Sequence, residues 1–355
     1  VSELCQSWPR PSRPLPIVIV GAGGIVRDAH LPAYRRLKLS VRGIHDLDPA
    51  RARALAREFG IAEVYERRED ALGQRGVLFD FALPPQALEE LLGCLPDEAA
   101  VLVQKPLGLD LAGATRLRAL ARAKRLSAAM NFQLRFSPQM LALAELVRSG
   151  KLGELLELEV RVVCRMPWEL WPFLRELPRL EILMHSIHYL DLLRHLAGEP
   201  RAVAARCVRH PEAEGLAATR SSMILDYGGS LRCTLSIHHH HEHGPRHEAS
   251  ELRVEGTRGA AVAVMGVNLD YPRGRPDRLE FVERGGRWRE IALRGNWFNE
   301  AFEGPISNLQ RFVTGEDSAL VSSLEDGWRT MRLVEALYEA DARGGQPLPR
   351  DPEAA

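Results

Sequence analysis

An α/β fold with a doubly wound parallel sheet is predicted for the first part of this 355-residue chain, on three observations. Short β-branched apolar runs alternate with Ala-, Leu- and Arg-rich segments of helical length. The first run passes directly into a glycine turn, and the second ends at an aspartate. Strands that alternate with helices pair in parallel, because each crossover helix covers a face of the sheet.

Leu15 to Val20 reads as the first strand and runs into Gly21-Ala22-Gly23-Gly24-Ile25-Val26, followed by a helix-like stretch through Leu37. In a dinucleotide turn the first glycine permits the bend and the second lets backbone N–H groups approach a pyrophosphate at the helix N-terminus. Gly21 and Gly23 take these places; the third position, usually Gly or Ala, is Val26. Ser40 to His45 reads as the second strand and ends at Asp46, where a carboxylate accepts from ribose hydroxyls and repels a 2′-phosphate. Leu47 rather than an arginine follows, so NAD is expected in preference to NADP. Asp48-Pro49 reads as the start of the next helix, which Gly60 stops. Further runs at Val64-Tyr65 and at Val77 to Ala82, the latter ending in Leu83-Pro84-Pro85, lead to a helix around Gln86 to Leu92. The strand Val101 to Val103, a helix over Asp110 to Lys124, and Leu126 to Met130 complete this half.

Lys105 follows the strand at 101–103 in Val-Gln-Lys-Pro. Ligands of open α/β sheets gather at the carboxyl ends of strands, which makes Lys105 a candidate catalytic group; a strand-end lysine reaching into solvent is the plainer alternative.

Composition narrows the function classes. Lys plus Arg balance Asp plus Glu at 47 each, so no overall field favours nucleic acid or an anionic membrane surface. The five cysteines are scattered, with no CxxC pair, which fits reduced thiols in a cytoplasmic protein. No apolar segment is long enough to span a membrane, and the Pro-rich N-terminus has no apolar signal core; it is expected to be a loose or docking arm.

In the second half, Leu155 to Val163 reads as a strand, followed by Trp168 and Trp171 among prolines, either a wall for a sugar or ring or an aromatic loop packed on the core. Arg179 to Leu193 has helical spacing, which puts His185 with His188, and His188 with Asp191, on shared faces. Arg201 to Val208 is a further strand; Ser221 to Tyr227 and Ser230 to Ile237 pair across Gly228-Gly229. The last runs into His238-His239-His240-His241-Glu242-His243 and on to Arg246. Four consecutive histidines invite a metal reading, but a site needs ligands that converge in space; a polar substrate-facing loop is preferred and no metal is expected, with Arg246 placed to hold a carboxylate or phosphate. Leu252 to Glu255 with Ala260 to Val264, and Arg278 to Glu283 with Trp288 to Leu293, read as hairpins. Trp297 and Asn299 lie in a polar-aromatic loop before a helix from Ile306 to Thr314, and a closing helix runs from Ser323 to Ala340.

The order of motifs is more specific than any one of them. Glycine turn, acid, Leu83-Pro84-Pro85, Gln104-Lys105-Pro106, Asn131-Phe132-Gln133-Leu134-Arg135-Phe136, Ser149-Gly150-Lys151-Leu152-Gly153-Glu154, His188-Tyr189-Leu190-Asp191 and Glu255-Gly256-Thr257-Arg258-Gly259 follow one another. This succession resembles the glucose-fructose oxidoreductase / inositol dehydrogenase (Gfo/Idh/MocA) family. The resemblance implies an N-terminal Rossmann sheet plus a C-terminal α+β domain with a large open, mostly antiparallel sheet. It divides the chain into an arm (1–14), a dinucleotide-binding domain (15–130) and a substrate-binding and oligomerisation domain (131–355). It implies an NAD-dependent oxidoreductase moving a hydride between nicotinamide and a secondary alcohol or ketone of a sugar, polyol or related acid, in a homodimer or homotetramer. Lys105 and His188 are then catalytic. Met184 stands where many members have an aspartate, and His185 is expected to supply the missing polar group; Gln104 replaces the usual glutamate. Gly21, Gly23, Gly24, Ile25, Asp46, Leu83, Pro84, Gln104, Lys105 and Asn131 would line the cofactor. Arg135, Trp168, Trp171, His185, His188, His240 and Arg246 would meet substrate. A catalytically silent nucleotide- or sugar-binding sensor of the same fold, and a metal-dependent enzyme using the His238–His243 run, are the alternatives.

Overall fold

The computed structural model describes residues 4–348. Six strands, β1 (Ile17–Val20), β2 (Val41–His45), β3 (Glu63–Val64), β4 (Leu78–Phe81), β5 (Ala100–Val103) and β6 (Ser127–Met130), form one sheet in the order β3-β2-β1-β4-β5-β6. Every pairing in it is parallel. β1, β4 and β5 are buried throughout, as parallel strands are when helices cover both faces; all their residues are apolar except Asp80 on β4. β1 pairs with both β2 and β4, so the strand order reverses there, and a crevice opens beyond the carboxyl ends of these strands.

The connecting helices are α1 (Leu31–Leu37), α2 (Pro49–Phe59), α3 (Arg68–Leu72), α4 (Leu88–Cys94) and α5 (Leu111–Ala123). A wide π-type turn at Val26–His30 precedes α1 and rotates His30 into the interior. Asp48 caps α2 by accepting from the Ala50 amide, and Gly60, at φ +71°, ends it, because a left-handed helix terminus costs glycine least.

After α6 (Pro138–Arg148), a second sheet assembles from β7 (Leu155–Val163), β8 (Ala202–Val208), β9 (Arg220–Asp226), β10 (Arg232–His238), β11 (Ala249–Gly256), β12 (Gly259–Val264), β13 (Arg278–Glu283) and β14 (Arg289–Glu290), in the order β14-β13-β12-β11-β7-β10-β9-β8. β7 and β10 pair in parallel; the other neighbours are antiparallel. Both glycine hairpins expected at 221–237 and 252–264 form. The third is shorter than its sequence suggested: β14 pairs over two residues only, beside the exposed Trp288 at the sheet edge. One face of the sheet carries α6, α7 (Ile187–Ala197) and the closing helix. The opposite face is open, with Ile224 half exposed.

The last two helices pack on elements of the first half of the chain. α8 (Glu303–Val313) returns to the first sheet, where Phe302, Ile306 and Leu309 share a core with Ile17, Ile19 and Leu102. α9 (Leu324–Arg343), capped by Ser323, runs along α5. Chain position 130 is thus where β6 ends, but the packing units interleave beyond it. The N-terminal arm is docked: Trp8 Nε1 donates to Asp317 at 2.9 Å and its ring meets Phe136 edge-on, while Gln6 bonds the Ala292 carbonyl and the Arg294 amide. Residues 1–3 and 349–355 of the expected divisions lie outside the described residues. No described helix is long and apolar enough to cross a membrane, and all five cysteines are free.

Candidate active site

The glycine turn has the shape a dinucleotide requires. Gly21 sits at φ +105°, and a Cβ there would lie 2.4 Å from the Ala82 carbonyl oxygen, so only glycine lets β1 turn against β4. A Cβ at Gly23 would meet nothing within 4 Å: the turn is open on the side where backbone would approach a pyrophosphate. Asp46 accepts from the amides of Ala22 and Asp48 at 2.6 and 2.8 Å, which braces the turn and fixes a negative charge at its rim. Leu83, Pro84, Gln104 and Asn131 stand at the carboxyl ends of the neighbouring strands β4, β5 and β6. These residues fit a dinucleotide that carries no 2′-phosphate.

Beneath the crevice lies a buried polar chain that the sequence did not disclose. His30 Nδ1 meets Asp80 Oδ2 at 2.7 Å, and Tyr34 donates to the same oxygen at 2.8 Å. On its other side His30 Nε2 lies 3.2 Å from the Gln104 amide nitrogen and 3.1 Å from that of Asn131. One tautomer satisfies all three ring contacts: Nδ1–H donates to Asp80 and Nε2 accepts from the amides. Burial, reinforced by Asp80, pushes the Tyr34 hydroxyl well above its ordinary pKa, so it remains a donor. Gln104 Oε1 in turn accepts from the Lys105 amide at 3.0 Å. The chain therefore runs from Asp80 on β4 to the backbone of the candidate catalytic lysine.

Lys105 Nζ donates to the Met184 carbonyl at 2.8 Å, and burial pulls its pKa down to about 8. His188 is held edge-on between Phe132 and Trp297, with ring centroids 6.1 Å from each, and its Nδ1 has no partner among the described residues. His185 lies 5.0 Å from both Trp168 and His239, and its Nε2 is likewise unpartnered. Burial is the main reason both imidazoles are pushed well below the ordinary histidine range; Lys105 adds to it for both, and His239 for His185. They are neutral near pH 7.

Behind His185 is a buried carboxyl, Glu181, which accepts from the hydroxyls of Ser186 and Ser221. Burial raises it to about 7, against the pull of those bonds. His239 Nδ1 stands 3.7 Å from Glu181, and burial pushes His239 down to about 3; the imidazole is neutral near pH 7, so this contact is not an ion pair. His239 and Glu181 were both missed. Alternation along β10 was the available signal: Cys233, Leu235 and Ile237 are buried, so period two carries His239 inward and His240 outward.

The remaining expected residues fall in several places. Trp168 packs on His185, whereas Trp171 is exposed. Arg135 is buried in ion pairs with Asp191 and Asp326 and donates to the Val321 carbonyl, so its guanidinium is engaged between helices rather than turned to the site. His240 stacks on His210 with centroids 4.2 Å apart, on the far side of the strand from Lys105. Arg246 is exposed in the turn after the histidine run. Trp297 walls His188, but Asn299 bonds the Asp28 carbonyl and Arg36.

Comparison with known proteins agrees with this architecture. Residues 15–132 match the model for an oxidoreductase family with an NAD-binding Rossmann fold, and 140–262 match the GFO/IDH/MocA C-terminal domain. The chain is 24% identical over 324 residues to D-apiose dehydrogenase of Rhizobium rhizogenes, covering 86% of this chain and 88% of that protein. It is 30% identical over 149 residues to inositol 2-dehydrogenase of Acidothermus cellulolyticus, an alignment spanning 40% of this chain and 42% of the relative. Among solved structures, an oxidoreductase from Agrobacterium radiobacter in complex with NAD+, L-tartaric acid and magnesium superposes with a TM-score of 0.79 at 21% identity, over 94% of this chain and 98% of the other. The chain belongs to the GFO/IDH/MocA family of NAD-binding oxidoreductases.

Proposed function

We propose that this chain is an NAD-dependent dehydrogenase that interconverts a secondary alcohol and a ketone on a sugar, polyol or related acid. The observation that carries the proposal is Lys105: a buried amine with its pKa lowered to about 8, at the carboxyl end of a central strand, facing two neutral histidines. Bound in the crevice, NAD supplies the hydride acceptor. Lys105, as free amine, takes the proton of the reacting hydroxyl, and as ammonium returns it in the reverse direction. His188 and His185, kept neutral, offer both a donor and an acceptor to a polyhydroxylated substrate. Phe132, Trp168 and Trp297 shape the wall and exclude water. The named activities of the relatives, on D-apiose and inositol, support a polyhydroxylated small molecule as substrate.

The five free cysteines support a reducing, cytoplasmic setting, and the open face of the second sheet supports a homodimer or homotetramer. The decisive experiment is a screen of sugars, polyols and their acids for NADH formation, with NAD binding measured in parallel. Turnover of one class with NAD is the expected result. Tight NAD binding without turnover of any compound would overturn the dehydrogenase reading in favour of a nucleotide-binding sensor.

A further inference from the structure

His210, Glu212 and His240 bring one ligand atom each to within 4.8 Å of one another, and sheet register explains why. Val208 on β8 and His238 on β10 both pair with Arg220, the first residue of β9. His210 and His240 each lie two residues beyond that row, so by strand periodicity they leave the same face. Regular pairing of β9 starts only at Arg220, so both side chains stand just past the end of that strand. Their rings meet at 4.2 Å between centroids, and the loop between β8 and β9 adds Glu212.

The lone pairs there are under-used. His240 Nδ1 is hidden from solvent and has no hydrogen-bond partner among the described residues. His210 Nδ1 accepts only a long bond, 3.3 Å, from the Glu212 amide. Glu212 and Glu242 both face His240 and offset the charge of Arg220, whose guanidinium is turned to the Arg209 carbonyl.

We propose that His210, Glu212 and His240 form a transition-metal site of the zinc class. Two imidazoles and one carboxylate are a borderline donor set that suits zinc; magnesium and calcium prefer all-oxygen sites. The site lies across the strand from the candidate active site. His239, whose side chain enters that active site, hangs its amide on the Thr219 carbonyl at 3.1 Å, at the end of the loop that carries His210 and Glu212. A cation here clasps the β8–β9 loop to the end of β10 and steadies the backbone of His239; it takes no part in hydride transfer.

The test is zinc titration of the untagged, full chain after chelator treatment, by calorimetry, with thermal unfolding followed in parallel. One zinc per chain and a zinc-dependent rise in melting temperature are expected. His210→Ala and His240→Ala should each weaken binding by roughly tenfold or more, while a double His241→Ala, His243→Ala variant binds as the parent does. Because all three positions are part-exposed or exposed, metal-free variants should unfold at the parent's temperature. Absence of saturable binding, binding indifferent to His210→Ala and His240→Ala, or binding that disappears in the His241/His243 variant would each overturn the assignment.

Discussion

Lys105 Nζ donates to the main-chain carbonyl of Met184, 2.8 Å away. Resemblance to the family leads one to expect an aspartate side chain at position 184; here the backbone of the same residue meets the lysine instead. A carbonyl is an acceptor without charge, so it orients the amine but does not hold it protonated, and burial lowers its pKa to about 8 unopposed. Neutral histidines complete the surroundings. Five expectations follow from this arrangement and its supports.

Lys105→Met should lower turnover by roughly a hundredfold or more, the usual share of general acid–base catalysis, while NADH fluorescence on binding stays at the parent's level. Parent-like turnover would remove Lys105 from the chemistry.

The pH profile should carry the lysine's signature with opposite signs in the two directions. Alcohol oxidation needs the free amine, so its kcat/KM rises as pH increases through about 8 and then levels. Ketone reduction needs the ammonium and falls over the same interval. An oxidative rate that declines there would contradict the assignment.

Asp46→Asn should weaken NAD binding by roughly tenfold or more, the worth of hydrogen bonds to a charged group. Because the carboxylate also braces Ala22 and Asp48, the informative quantity is the NAD to NADP ratio of kcat/KM. Loss of the charge narrows that ratio; damage to the turn alone would lower both values equally.

Arg135→Met should destabilise the fold by about 3 to 5 kcal/mol, since it strands the buried Asp191 and leaves Asp326 with Arg194 alone. Urea unfolding measures this directly. A stable variant with a raised substrate KM would instead restore the sequence-based expectation that Arg135 touches substrate.

Glu181→Gln should make stability less dependent on pH. Burial raises the folded-state pKa of Glu181 from 4.5 to about 7, so the folded chain holds this proton more tightly than the unfolded chain. The contribution is intact below the unfolded value and is lost as pH rises through the folded one, on the order of 3 kcal/mol by about pH 8. The melting temperature of the variant should gain on the parent between about pH 5 and about pH 8; an unchanged difference would mean that Glu181 is ionised throughout.

Much of the first domain was legible because its signals are local. Gly21 must be glycine for a reason visible within one turn, Asp48 caps the helix that starts beside it, and hairpins announce themselves by paired runs around glycines. The placement of Lys105 at a strand end was equally readable. His240 was chosen over His239 because a run of identical residues hides strand parity; Cys233, Leu235 and Ile237 contain that parity once the strand is followed inward. Arg135 was assigned to substrate on resemblance, yet its partners lie 56 and 191 positions away in the chain, where no spacing rule reaches.

The sequence by itself determined the parallel and mostly antiparallel halves, the dinucleotide turn with its aspartate, and the place of Lys105 at a strand end, because backbone conformation and strand periodicity are set by neighbours. Only the tertiary structure decided what surrounds that lysine: the His30–Asp80 chain beneath it, the Met184 carbonyl beside it, and Glu181 with His239 behind His185. Those contacts join residues from separate strands and helices, and their pKa values depend on burial, which exists only after the elements have packed.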